Sequence, residues 1–203
     1  KGDTVTLYRL NAKPKIKPDG DVGYLSCLFK WHGDAAVEYS KALPYPCFVG
    51  GTGISLTDSL PDEVERAECD YTIYPEFTKA IGFISRGCIR HCPWCVVPAK
   101  EGAIHRVSSA ESVVGNKKEV VLLDNNFLAL PDFSRDLQWL SDNKIRVDFN
   151  QGLDVRLIDD ASARLLAKCK WRPNLRISFD YSGLYAEFVR GVSCLLNAGF
   201  PAH

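Results

Sequence analysis

No methionine occurs anywhere in the 203 residues, at position 1 or later. A chain of this length ordinarily holds a few, so the expectation is that the natural start lies outside these residues or that single residues, a modified one included, are missing from the run. An excess of charge of one sign is lacking too. The 25 Lys and Arg balance 25 Asp and Glu, so the basic surplus that drives non-specific nucleic-acid binding is absent. One local basic run, Lys13, Lys15 and Lys17, reads as a solvated loop. No apolar stretch reaches the roughly 20 residues that cross a membrane, and no signal-peptide pattern opens the chain. Hydrophobic residues at 46% and charged residues at 25% are the proportions of a soluble globular protein with a core of its own. Eight cysteines without a secretory context argue for a reducing setting and against disulfides. The expected location is cytoplasmic.

A further absence lies among the cysteines. Cys88, Cys92 and Cys95 stand in Ser85-Arg86-Gly87-Cys88-Ile89-Arg90-His91-Cys92-Pro93-Trp94-Cys95-Val96-Val97-Pro98, with the spacing C-x3-C-x2-C, and the next cysteine downstream is Cys169. Short gaps let one loop wrap three corners of a cubane. A 4Fe–4S cluster ordinarily takes four thiolates; three would leave one iron open, and an open metal site marks chemistry, whereas a closed one marks structure or simple electron transfer. The alternative is zinc, since His91 completes a Cys3His set on paper. Against it, His91 adjoins Cys92, neighbouring residues seldom face one ion, and only one of the two hairpins of a zinc knuckle is visible. The other cysteines, Cys27, Cys47, Cys69, Cys169 and Cys194, are scattered singly in apolar segments and read as small buried residues.

Along the chain two regions emerge, residues 1–75 and 76–203. In the first, Val22–Phe29 reads as a buried strand, Asp34–Ala42 as a helix and Cys47–Val49 as a second strand ending in Gly50-Gly51-Thr52-Gly53. Pro61-Asp62-Glu63-Val64-Glu65 places proline and acids where a helix start favours them. This is a βαβ pattern and predicts a small parallel sheet. In the second region the strands are Ile81–Ser85, Val120–Leu123, Ile145–Phe149 and Leu175–Phe179. Helices carry Phe133, Leu137 and Leu140 at i, i+4, i+7 spacing, then Leu165, Leu166 and Cys169 behind a start at Asp159 and Asp160. A last helix, capped by Ser182, presents Leu184, Phe188, Val192, Leu195 and Leu196, with Gly199 at the left-handed position of a helix end. Four successive βα units predict a parallel sheet of the TIM-type barrel kind.

The cysteine spacing is the signature of the radical S-adenosylmethionine (radical SAM) enzymes, and the resemblance covers about residues 76 to 203. Trp94 is the aromatic that family prefers before the last cysteine, and Lys79–Arg86 resembles the first barrel strand running into the cluster loop. Val96-Val97-Pro98 is similar to the methylthiotransferase and cobalamin-linked branches, without specifying a subfamily. The resemblance implies a partial (βα) barrel of six units. This chain, ending at His203 after four, is expected to be a fragment or incomplete, with a small α/β domain in front. The front domain resembles a cobalamin-binding domain in its Gly50-Gly51 turn, although the cobalt-ligand motif is absent: His32-Gly33-Asp34 does not match it. Cys27, Cys47 and Cys69 lack the local context of a methylthiotransferase's second cluster.

What the resemblance implies about function follows. Cys88, Cys92 and Cys95 hold the cluster, S-adenosylmethionine chelates the open iron, and one electron from a flavodoxin- or ferredoxin-type donor releases a 5′-deoxyadenosyl radical that takes hydrogen from a substrate the sequence does not name. Active sites of parallel α/β folds lie at the carboxyl ends of strands. The cofactor-binding candidates there are Asp124, Asn125 and Asn126 after the second strand, Asn150 and Gln151 after the third, and Asp180 after the fourth, with Trp94 toward the adenine. The family's Gly-Gly-Glu turn is replaced by Asp124-Asn125-Asn126. Each has a plainer alternative: an Asx-rich turn, loop hydrogen bonding, a helix cap or core packing. Arg90 and His91 read as surface residues beside the cluster, and Arg86 or Arg90 as tuning its potential. Two rival functions stay open: a methyl- or methylthiotransferase of the same superfamily, and a non-enzymatic Fe–S or zinc module.

Overall fold

The computed structural model describes residues 4–6, 18–58, 76–172 and 174–201. The expected helix start at Pro61–Glu65, the Lys13, Lys15 and Lys17 run and Cys69 lie outside the described residues. The chain is a mixed α/β protein with parallel sheets and divides into two compact units, Lys1–Tyr74 and Pro75–His203. Among the described residues no helix is long and apolar enough to cross a membrane.

In the first unit β1 (Gly23–Ser26) lies parallel to β2 (Cys47–Gly50), with Gly23 opposite Cys47 and Ser26 opposite Gly50. Helix α1 (Gly33–Lys41) connects them after a 3-10 turn at Lys30–His32. The βαβ pattern is present, but β1 is shorter than the Val22–Phe29 run, and within that run Cys27 alone is buried. A two-stranded sheet under one helix leaves its other face open among the described residues. Tyr24 and Phe48, both exposed, stack there at 5.3 Å, and Phe29 stacks on Trp31 at 4.8 Å. The glycine turn is explained by close packing. Gly51 has φ +99°, and a Cβ on it would stand 2.3 Å from the Cys27 carbonyl oxygen; one on Gly53 would stand 2.7 Å from the Phe29 backbone. The two strand ends are then tied by the Gly53 N–H to the Cys27 carbonyl at 2.9 Å and the Thr52 hydroxyl to the Leu28 carbonyl at 2.8 Å.

The second unit is built on a four-stranded parallel sheet. In spatial order it comprises β3 (Ala80–Gly82), β6 (Glu119–Leu122), β7 (Arg146–Phe149) and β9 (Lys170–Trp171). The crossovers contain α3 (Ala110–Val114), α4 (Phe133–Asp142) and α5 (Asp160–Lys168). Ala80, Val120, Leu122, Val147 and Phe149 point into the core, where Leu137, Leu140 and Leu166 from α4 and α5 have no exposed surface. Each such leucine contributes on the order of 1.5–3 kcal/mol by leaving water. Leu165 is only half-buried. Aromatic rings extend the core from Phe127 through Phe149 and Trp171 to Phe200, with centroids 4.7, 6.0 and 6.0 Å apart. At the opposite end of the strands Glu119 pairs with Arg146 and with Arg172, joining three consecutive strands by charge.

Several boundaries differ from the sequence reading. The expected strand Ile81–Ser85 is broken: β3 stops at Gly82, and Ser85–Arg86 forms β4, which turns to pair antiparallel with β5 (His105–Arg106). The third strand also breaks, at Asn150–Gly152, and resumes as β8 (Leu153–Asp154). Correspondingly, the fourth sheet strand is Lys170–Trp171, which hydrophobic pattern missed. The expected Leu175–Phe179 segment contributes only β10 (Ile177–Ser178), parallel to β8. Ser182 does not cap a helix by its side chain; it begins a 3-10 turn, Ser182–Leu184, ahead of α6 (Tyr185–Asn197). Leu184 of the turn and Gly191 and Leu195 of the helix are buried, Phe188 and Val192 half-buried, and Leu196 is exposed. A Cβ on Gly191 would stand 2.7 Å from the Val155 side chain, so the helix lies close to the 155–158 segment. Gly199 has φ +99° and ends the helix as read, with the Phe200 N–H returning to the Leu195 carbonyl.

The start of α5 yields a stability prediction. Asp159 accepts from the Ser162 N–H at 2.8 Å and the Ser162 hydroxyl accepts from the Asp159 N–H at 2.9 Å, a reciprocal cap. Those bonds to the Ser162 backbone and hydroxyl hold the Asp159 carboxyl below its ordinary value. The stabilisation is therefore complete above the ordinary carboxylate range and is lost as pH falls through the depressed folded value. Asp159→Ala is expected to cost about 1 kcal/mol at neutral pH, measured by urea denaturation, with the gap to wild type closing in acid.

Candidate functional site

Site geometry begins with the broken first strand. After Gly82 accepts from the Leu123 N–H, β6 has ended and nothing in the sheet remains to pair with residues 84 and 85. The Asp124 carboxylate takes over: it accepts from the Ile84 N–H at 3.2 Å, and from the Ser85 N–H and hydroxyl at 2.6 Å each. Ile84, Ser85 and Asp124 are all buried. Burial pushes the Asp124 carboxyl above its ordinary value, against the hydrogen bonds that favour its charged form. The chain then leaves the sheet at its carboxyl end, runs through the cysteines and α2 (Val97–Glu101), and returns at β5. The excursion is closed at its base by the Ser85–Arg106 and Arg86–His105 pairs.

A second carboxylate holds the interior of this loop. Glu101 accepts from the Gly87 N–H at 3.0 Å and from the Asn125 amide at 2.6 Å, and pairs with Arg86 at 3.2 Å. Arg86 also lies 4.1 Å over the Phe83 ring. Gly87 is required here: its φ is +78°, and a Cβ would fall 2.2 Å from the Ala103 carbonyl oxygen.

A third carboxylate, Asp154, joins the loop to β8. It accepts from Arg90 Nε at 2.9 Å, from Arg156 Nε at 2.6 Å and Nη2 at 3.0 Å, and from the Asn126 amide at 3.3 Å. Burial acts to raise this carboxyl, yet the bonds and charges of Arg156 and Arg90 outweigh it and hold the group below the ordinary range. Arg156 is raised first by its hydrogen bond to Asp154 and further by the Asp154 charge. Cys88 Sγ accepts from two donors, the Arg90 N–H and the Asn126 amide, both at 3.3 Å. The Asn126 carbonyl oxygen is buried without a partner among the described residues, a cost of about 1–3 kcal/mol.

The residues singled out from sequence are thus sorted. Cys88 and Cys92 are half-buried, Cys95 is exposed, and the Cys95 N–H donates to the Cys92 carbonyl at 3.0 Å. Asn125 and Asn126 reach the loop directly, whereas Asp124 has both oxygens committed to bracing its base. Trp94, largely exposed, meets Tyr181 edge-on at 6.2 Å. Asp180 is exposed beside that pair. Asn150 and Gln151 are exposed in the turn between β7 and β8 and send no side-chain hydrogen bond into this network among the described residues. Arg90 is corrected from a surface residue to a partner of Asp154, while His91 is exposed. Sequence reasoning passed over Glu101, Asp154, Arg156 and Tyr181. The available signal was position: Asp154 and Tyr181 follow the strands expected at 145–149 and 175–179, at the carboxyl ends where parallel α/β folds place their sites.

Among the described residues no three His, Cys, Asp or Glu side chains are gathered into a metal-holding group. The donor chemistry nevertheless fits an iron–sulfur cluster. Three free thiols share one loop, two N–H groups face Cys88 Sγ, and cationic Arg90 and Arg156 stand alongside. The first unit offers cobalamin a poorer fit, because the space at Gly51 and Gly53 is filled by the Cys27 and Phe29 backbone. Comparison with protein-family models and with curated proteins gave no match.

Two outcomes are expected from this geometry. Asp124→Ala strands two buried N–H groups and a hydroxyl at about 1–3 kcal/mol each, so denaturant unfolding should show a loss of several kcal/mol. Brief alkylation of the metal-free protein should label exposed Cys95 and spare Cys169, which is buried and has its thiol pushed up to about 12 by desolvation. Mass spectrometry of the labelled peptides reads the difference.

Proposed function

We propose that this chain is a radical SAM enzyme, in which Cys88, Cys92 and Cys95 hold a 4Fe–4S cluster and S-adenosylmethionine binds beside it at the strand ends. The observation that carries this reading is a loop of three free thiols, spaced C-x3-C-x2-C, leaving a parallel sheet at its carboxyl edge. When bound, the cluster would supply the electron that cleaves S-adenosylmethionine to methionine and a 5′-deoxyadenosyl radical. The reading extends to the fold: the sheet β3-β6-β7-β9, with β8 and β10 beyond it, is proposed as the first arc of a partial (βα) barrel.

The chain's own residues divide the work. Asp124 fixes where the loop leaves the sheet, Glu101 holds its first turn, and Asp154 holds Arg90 against the strand ends. Trp94 and Tyr181 form an aromatic corner suited to a flat base, with Asp180 beside it for a hydroxyl partner. Asn125 and Asn126 bring polar groups from the second strand end; Asn150 and Gln151 lie at the third with side chains free to meet a ligand. A small one-electron carrier of the flavodoxin or ferredoxin type is the proposed donor, and the cytoplasm the proposed location.

The test uses anaerobically purified, reconstituted protein given dithionite and S-adenosylmethionine. Formation of 5′-deoxyadenosine, falling to background in Cys92→Ala, is the expected result. Zinc in place of iron, or an iron spectrum indifferent to S-adenosylmethionine, would sink the reading and favour a metal-binding module.

A further inference from the structure

Cys88 differs from the other two cysteines in the network around its sulfur. Its Sγ is 3.3 Å from the Asn126 amide nitrogen and 3.3 Å from the Arg90 backbone nitrogen, both donating. The same Asn126 nitrogen spends its other hydrogen on Asp154 Oδ2, also at 3.3 Å, and Asp154 in turn holds the Arg90 side chain at 2.9 Å. Asp154 itself is clamped from the far side by Arg156. Asn126 and Asp154 are 3% and 6% exposed, so water competes little for these bonds.

This arrangement fixes which way the amide of Asn126 points. Turned over, it would set its oxygen against the Asp154 carboxylate and the Cys88 sulfur, two electron-rich groups. Held as it is, it leaves its carbonyl buried without a partner among the described residues. The amide therefore forgoes a bond on one side while both hydrogens serve the other. Packing alone would be met as well by an apolar side chain of similar size, such as leucine; what leucine would lack is the N–H toward sulfur.

We propose that Asn126 sets the reduction potential of the cluster through its hydrogen bond to Cys88, and that Asp154 is a positioning residue that keeps the Asn126 amide and Arg90 turned toward that sulfur. This rests on the cluster reading given above. Hydrogen bonds to cluster sulfurs stabilise the reduced, more negative form and raise the potential. Asn126 and Asp154 act through Cys88, not on the substrate.

The experiment is redox titration of the reconstituted protein, without S-adenosylmethionine, followed by electron paramagnetic resonance, for wild type, Asn126→Leu and Asn126→Ser. Both variants are expected to hold iron and sulfide at the wild-type ratio and to show a midpoint potential shifted negative, with the Fe–S(Cys) stretching bands moved in resonance Raman spectra. The serine variant serves if the leucine variant does not fold, since its side chain is too short to reach Cys88. Asn143→Ala, at an exposed helix end, should leave the potential where it was. Either Asn126 variant holding the cluster at the wild-type potential overturns this inference and leaves the cluster reading intact. A wild-type protein that takes up no iron overturns both.

Discussion

One carboxylate decides the course of the second unit. Asp124 stands where β6 has ended, and the four-stranded parallel sheet has no strand left to meet the N–H groups of residues 84 and 85. By accepting two N–H groups and a hydroxyl there, it does the work of a neighbouring strand for one more step. It also ends the parallel pairing, because a side chain cannot extend the ladder. The chain is free to turn outward, and the cysteine loop follows. Glu101 and Asp154 repeat the device further along: a buried or half-buried acid gathers backbone and side-chain donors that regular structure does not reach. Three acids holding one loop is an electrostatic solution to a geometric problem, since a loop without ladder partners must still satisfy its polar groups.

The same acids set the charge around the thiols. Each is matched by cations or N–H groups: Glu101 by Arg86, Asp154 by Arg90 and Arg156. Near-neutral pairing inside the site fits the balanced charge of the whole chain, and it leaves the Cys88 sulfur facing donors instead of a bare carboxylate. The unpartnered carbonyl of Asn126 is the exception within this arrangement, and such exceptions gather where a ligand or a reaction makes use of them.

What could be read from the sequence followed from period and punctuation. The helices over Phe133–Asp142 and Asp160–Lys168 were legible because Leu137, Leu140 and Leu166 recur on one face and Asp159 marks a start. The sheet strand at 119–122 was legible as a short apolar run and the one at 146–149 by the alternation of Ile145, Val147 and Phe149 with Arg146 and Asp148. The strand at Lys170–Trp171 was not, because two residues carry no period and its pairing to β7 is set by tertiary packing. The breaks after Gly82 and Phe149 were hidden for a related reason: an apolar run says that a segment is buried, not that its hydrogen bonds are continuous. In the first unit the error ran the other way, as Tyr24, Phe29 and Phe48 look like core residues but sit on a face left open among the described residues. For the site, the cysteines announced themselves by spacing. Glu101, Asp154 and Arg156 did not, because an acid in a loop acquires meaning only from what the fold brings to it.

The short antiparallel stem, Ser85–Arg86 against His105–Arg106, has a consequence for how such a chain can change over time. The path leaves the sheet and re-enters beside its own departure point, so the register of the strands is indifferent to what happens in between. Residues can be added to or removed from the excursion, and its contents exchanged, at little more than the slowly growing entropy of a longer loop. The chemistry-bearing segment is in that sense an inset, free to be rewritten while the sheet that carries it keeps its wording.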